Sequence, residues 1–285
     1  MKWQGRRGSG NIEDRRGLKA AGGGLGLGAI ILFLASIFFP DAVPLLRMVG
    51  VGQPGAPGQQ QVAPGQVDPN DQAAQFISVT LADTEEVWTQ IFREDLGASY
   101  VKPTLVLFSG ATTSGCGAAE AASGPFYCPA DRKVYLDLDF FRTLERQLGA
   151  GGQFAQAYVV AHEVAHHVQN LTGAVRRVDQ VRSSGNRLQT NQATVRLELQ
   201  ADCYAGVWAN RAHQNFGILE RGDLEEALNA AAKIGDDALQ GRSGRVRPET
   251  FTHGTSEQRQ RWLTTGLRGG DIRQCDTFSP DYDDL

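Results

Sequence analysis

A chain of 285 residues with 41% hydrophobic and 21% charged residues has ordinary globular composition and room for one domain or two. Its net charge of −4 argues against nucleic acid as the main partner. Four cysteines, at 116, 128, 203 and 275, include no C-x-x-C pair, so the spacing argues against a cysteine-built zinc site.

In chain order, residues 1–19 hold six basic groups (Lys2, Arg6, Arg7, Arg15, Arg16, Lys19) against Glu13 and Asp14, a local net of +4 that leaves −8 for the rest. An uncharged run follows at 20–39 (AAGGGLGLGAIILFLASIFF), long enough to span a bilayer. Its dense apolar part, 25–39, is also the length of a signal-peptide core. No small-x-small cleavage site follows, so a retained transmembrane anchor is the expectation and a cleaved signal peptide its rival. The basic cluster ahead of the run predicts a cytoplasmic N-terminus, with everything after residue 40 outside the cytoplasmic membrane. Residues 40–75, rich in Pro, Gly and Gln, read as a linker that buries no core. The folded domain is expected over 76–285.

Within that domain, Thr84 to Phe92 reads as a helix with Asp83 as N-cap and Glu86 completing a capping box. Residues 104–108 and 133–137 read as strands, separated by a small-residue loop at 109–129. Residues 138–148 make a helix ending at Gly149. If the domain is exported, two disulfides are expected: Cys116–Cys128 closing a short loop, and Cys203–Cys275 by elimination. In a cytosolic protein the same residues would be four buried thiols.

The run 153–173 (QFAQAYVVAHEVAHHVQNLTG) carries the chemistry. Phe154, Ala157, Tyr158, Ala161 and Ala165 form an apolar stripe at helical spacing, and Gly173 is a stop. His162 and His166, four apart, share one helix face and can offer both imidazoles to one ion. Glu163 between them is placed as general base for a water in the metal's open position. Thirty-six residues after His162, Glu198 lies on a second long helix (192–215) and could supply a third ligand. Asp202, one turn on, could fix the tautomer of a ligating histidine. A polar, mobile stretch at 176–190 separates the two helices. Helices at 223–239, capped by Asp223, and 256–267 follow, and the acidic terminus is expected to fray. His167 points about 100° from His166 and is read, with His213, as an ordinary surface or packing residue.

H-E-x-x-H followed by E-x-x-A-D resembles the gluzincin zinc peptidases. More narrowly, MKWQGRRGSGNIEDRRG, SGCG…GPFYCPADRKVYLDLDFF, AHEVAHHVQNLTG, LELQADCYAGVW and THGTSEQRQRW resemble the bacterial "putative neutral zinc metallopeptidase" family over nearly the whole chain except the linker. The resemblance implies an α+β gluzincin-like core, a small antiparallel or mixed sheet with helices around Zn²⁺. It implies a membrane-tethered peptidase acting on protein or peptide substrates outside the cytoplasm. It also implies that Val134 to Leu136, or the neighbouring strand, is the sheet edge holding substrate, and that His253 in HGTSEQR stabilises the oxyanion. Two rivals stay open: a catalytically silent zinc protein that scaffolds envelope partners, and a zinc amidase acting on cell-wall peptides. Intact Glu163 speaks against the first.

Overall fold

The computed structural model describes residues 1–16, 65–120, 124–242 and 244–285; the uncharged run at 20–39 and most of the linker lie outside them. Among the described residues no helix is long and apolar enough to cross a membrane. The chain separates into one unit of Met1–Asp14 with Ala63–Leu285 and another of Arg15–Val62. The first unit carries the candidate site and is α+β.

Its sheet is mixed. Strand β1 (Ile12–Asp14) pairs in parallel with β2 (Thr104–Phe108), β2 in parallel with β6 (Lys133–Asp137), and β6 antiparallel with β5 (Phe126–Cys128). Side chains alternate between faces. Leu105, Leu107, Val134 and Leu136 join the main core, while Val106, Phe108, Tyr135 and Cys128 form a smaller cluster. Burial on both faces gives β2 and β6 the continuous apolar runs that make them readable in sequence. The stretch 109–129, expected as a loop, instead contains a hairpin of β3 (Ala111–Ser114) with β4 (Gly117–Glu120), and then β5. A bond between Cys116 and Cys128 ties the hairpin turn to the end of β5.

Eight helices complete the described residues: α1 (Gln72–Glu94), α2 (Asp139–Leu148), α3 (Gln153–Thr172), α4 (Ala174–Arg182), α5 (Arg187–Phe216), α6 (Asp223–Lys233), α7 (Asp236–Gly241) and α8 (Ser256–Gly269). Helix α3 is central: the whole expected stripe from Phe154 to Ala165 is buried, and so are Val160, Val164 and Val168. It ends at Gly173, whose φ of 92° is a left-handed cap that glycine adopts without a Cβ penalty. Helices α5 and α8 cross at unusually close range. A Cβ on Gly206 would press on the Leu263 carbonyl, and one on Gly266 would run into the Cys203 carbonyl. The bond Cys203–Cys275 fastens the segment after α8 to α5.

Several local readings are corrected by long-range packing. The first fourteen residues belong to this domain, which therefore does not begin at 76. Ile12 pairs with Leu105, the Ser9 N–H donates to Ser78, and Arg6 binds Asp83 at 2.6 Å while lying 4.1 Å over the Phe216 ring. Asp83 is not an N-cap but a buried mid-helix residue; α1 starts at Asp71, which accepts from the Ala74 N–H. Burial pushes the Asp83 carboxyl up to about 7, against the opposing pull of Arg6.

The polar stretch at 176–190 holds most of α4 and the start of α5. The helix expected over 223–239 breaks at Gly235, and Gly222 occupies its N-cap position. Asp223 instead accepts from the Glu220 N–H at 2.7 Å and from the Met1 amine at 3.0 Å. The C-terminal segment does not fray: Thr277 and Leu285 are buried, and the Thr277 hydroxyl donates to the Arg196 carbonyl.

Candidate metal centre and its cleft

The facing sides of α3 and α5 bring His162, His166 and Glu198 together, with one donor atom of each within 4.8 Å of the others. The His162 Nε2 lies 3.1 Å from Glu198 Oε2, and the His166 Nε2 lies 3.4 Å from Glu198 Oε1. Three donors at ~2.1 Å from a tetrahedral ion stand about 3.4 Å apart, close to the two nitrogen–oxygen distances here, and two imidazoles with one carboxylate are a donor set that suits zinc.

Outer partners occupy both Nδ1 atoms and turn both Nε2 atoms toward Glu198. The His162 Nδ1 meets Asp202 Oδ1 at 2.8 Å, and a carboxylate only accepts, so the proton sits on Nδ1. The His166 Nδ1 meets Gln169 Oε1 at 2.8 Å. Gln169 is held in that orientation because its amide donates to the Leu197 carbonyl at 2.7 Å and to Gln200 Oε1 at 3.1 Å. Asp202 was expected in this role and Gln169 was not.

Beneath Asp202 lies a buried cation. The Arg259 Nε donates to Asp202 Oδ2 at 2.8 Å and its Nη2 to Oδ1 at 3.0 Å; the Tyr158 hydroxyl donates to Oδ1 at 2.6 Å. Asp202 is fully buried and Arg259 2% exposed. Burial alone would raise the Asp202 pKa, but Arg259 and His162 outweigh it and hold the group at about 2. Burial likewise opposes charge on His162, yet Asp202 and Glu198 push it up to about 10. A cavity that draws in a proton so strongly is a cavity with an excess of negative charge, which suits a divalent cation.

Glu163 is 8% exposed and faces the same cleft. Its pKa is raised by burial, against the lowering effect of His166 and His162. The cleft is open, with a volume of about 630 Å³, and Phe126, Tyr127, Phe140, Val159 and Leu197 make its walls largely apolar. Strand β5 ends the sheet order β1-β2-β6-β5, so Val134 to Leu136 lie inside the sheet and the neighbouring strand is the edge.

His253 lines this cleft, with its side chain 50% exposed. Its Nδ1 meets Asp236 Oδ1 at 3.2 Å, and Asp236 Oδ2 accepts the N–H groups of Thr252, His253 and Gly254. The bond to Asp236 raises the His253 pKa, against burial. Asp236 escaped sequence reading because it lies in what looked like the interior of a helix. The other two histidines stand apart from this cluster. His167 donates or accepts between the Val101 carbonyl and the Tyr127 hydroxyl, and the His213 Nδ1 accepts the Leu219 N–H.

Comparison with known proteins agrees with this geometry. The chain is 48% identical over 293 residues to "Uncharacterized protein YpfJ" of Escherichia coli (strain K12), covering 98% of this chain and 99% of that one. It is 42% identical over 257 residues to "Uncharacterized protein Rv2575" of Mycobacterium tuberculosis (strain ATCC 25618 / H37Rv), covering 81% and 84%. No solved structure matches it. Residues 1–278 match the family described as "Putative neutral zinc metallopeptidase", and the chain belongs to that family.

Proposed function

We propose that this protein is a zinc-dependent endopeptidase that hydrolyses peptide bonds of protein or peptide substrates, attached to a bacterial membrane through the uncharged run at 20–39. The observation that carries the reading is the convergence of two histidine Nε2 atoms on Glu198, beside Glu163, in an open cleft. His162, His166 and Glu198 would hold Zn²⁺, with Asp202 and Gln169 fixing the imidazoles. When bound, the ion supplies Lewis acidity toward water and toward the scissile carbonyl.

Glu163 takes the proton of the attacking water and delivers it to the leaving amine; its raised pKa suits both halves of that transfer. His253, in the protonated form that Asp236 favours, donates an N–H to the developing oxyanion. The outer side of β5 offers main-chain groups to an extended substrate, a mode that tolerates many sequences.

The test uses the full chain in detergent, because a fragment starting at 76 would lack β1. Zinc content and cleavage of an unfolded protein are measured beside Glu163→Gln. One zinc per chain in both, with cleavage reduced ~10²–10⁴-fold in the variant, is expected. Equal cleavage by both would overturn Glu163 as the base. Zinc in both with cleavage by neither would favour a binding protein.

A further inference from the structure

We propose that His167 is a positioning residue: with Asn170 it holds the edge strand β5, through the Tyr127 hydroxyl, at a fixed offset from the candidate metal ligands, and so sets how an extended peptide lies across them. What it does for substrate rests on the peptidase reading; the clamp itself does not. Its members stand on one helix. His162 and His166 share one face of α3, while His167 and Asn170, three apart, share another turned about 100° from it. One helix therefore carries both the candidate ligands and the grip on the strand.

The bonds of the clamp are mutually consistent. The His167 Nε2 lies 2.6 Å from the Val101 carbonyl, which only accepts, so the ring proton sits on Nε2. The Nδ1 of the neutral ring is then an acceptor, and the Tyr127 hydroxyl donates to it at 3.0 Å. The Asn170 amide donates in turn to the Tyr127 oxygen at 3.0 Å. His167 is fully buried, and the Tyr127 and Tyr100 rings pack against it with centroids at 5.4 and 5.8 Å. A ring nitrogen left unpaired there would carry its full desolvation penalty, which holds the Tyr127 hydroxyl in place.

Strand β5 needs such a hold. It has three residues and, among the described residues, pairs with β6 alone. So short a strand with one neighbour has few ladder bonds to resist tilting. Side chains of β5 alternate between its faces. On the face away from Tyr127, Phe126 stacks on Tyr135 at 4.9 Å and Cys128 is bonded to Cys116. On the face toward α3, Tyr127 supplies the hold. Phe126 and Tyr127 line the same cleft as His162, His166 and Glu198. A tilt of β5 would therefore change the distance from its outer main-chain groups to the metal cluster. Recognition along a strand edge tolerates many side chains but works only where that edge stays in place.

The experiment needs no cleavage, so its failure is separable from that of the peptidase reading. The full chain carrying Glu163→Gln, loaded with zinc in detergent, is the reference, and Tyr127→Phe, which removes one oxygen, is added to it. Hydrogen exchange is expected to quicken at the backbone amides of 126–128 and to stay unchanged at 162–166. Binding of a fluorescein-labelled eight-residue Ala/Phe/Ser peptide, read by anisotropy, is expected to weaken ~3–10-fold, the scale of one lost hydrogen bond. Acetohydroxamate, a zinc ligand too small to reach the strand, should bind as before by calorimetry. His167→Phe should weaken peptide binding by a similar factor, and the two changes together no further than the larger alone, because both act through one bond. Should His167→Phe fold poorly, Asn170→Ala, at a half-buried position, takes its place in the cycle. Unchanged exchange at 126–128, equal weakening of both probes, loss of zinc from Tyr127→Phe, or no peptide binding by the reference would each overturn the proposal. No cleavage by the unsubstituted chain would instead sink the peptidase reading and leave these results standing.

Discussion

The two sides of the cleft differ in how firmly their histidines are held. On the ligand side, His162 is 7% exposed and rests on Asp202, Arg259 and Tyr158, all buried. On the opposite side, His253 sits in a loop, is half exposed, and is aimed by the Asp236 carboxylate. The difference matches the roles proposed for the two histidines. A metal ligand needs a fixed distance and tautomer, which burial and a complete hydrogen-bond set provide. A group that donates to a substrate must remain open to it, and its precision has to come from backbone restraint, here the three N–H groups gathered by Asp236.

Four measurements would break or sharpen that contrast. The largest effect is expected from Arg259→Met, which strands a buried carboxylate; chemical denaturation should show a loss of about 3–5 kcal/mol. A loss below about 1 kcal/mol would mean that Asp202 does not depend on this cation. Next, His253→Gln should lower kcat by ~10²–10³-fold with zinc content and Tm unchanged. Reduced zinc in that variant would merge the two sides into one. Gln169→Leu should weaken zinc affinity ~10–100-fold, measured by competition with a chelator, while kcat at saturating zinc is kept.

The smallest change is in pH dependence. The folded pKa of His253 is raised, so its protonated, donating form is present at low pH and lost as pH rises through that raised value. Any stability this histidine contributes follows the same sign, full below the ordinary imidazole pKa and lost above the raised one. Asp236→Asn should therefore shift the alkaline limb of kcat to lower pH. An unmoved limb would remove Asp236 from the description.

Much of the ligand side was legible because its information is local. The four-residue spacings of His162 with His166 and of Glu198 with Asp202 encode one helix face each, whatever the rest of the chain does. What escaped is long-range. Arg259 reaches Asp202 across 57 positions and Gln169 reaches Gln200 across 31, with no periodicity to mark either. Asp83 has the local look of a cap and is overruled by Arg6, 77 residues earlier. Strand β1 is three residues with two acids, far too little alternation to announce itself. Its partner strand, not its own sequence, makes it a strand.

The glycine crossing of α5 and α8 has a consequence for how such a site can vary. Glu198 and Asp202 ride on one of these helices and Arg259 on the other, so the helix spacing sets the distance from ligand shell to supporting cation. Neither Gly206 nor Gly266 has room for even a methyl group against the opposing backbone. At these two positions the alphabet has one letter, and any other would be felt at the candidate metal centre more than a turn of helix away.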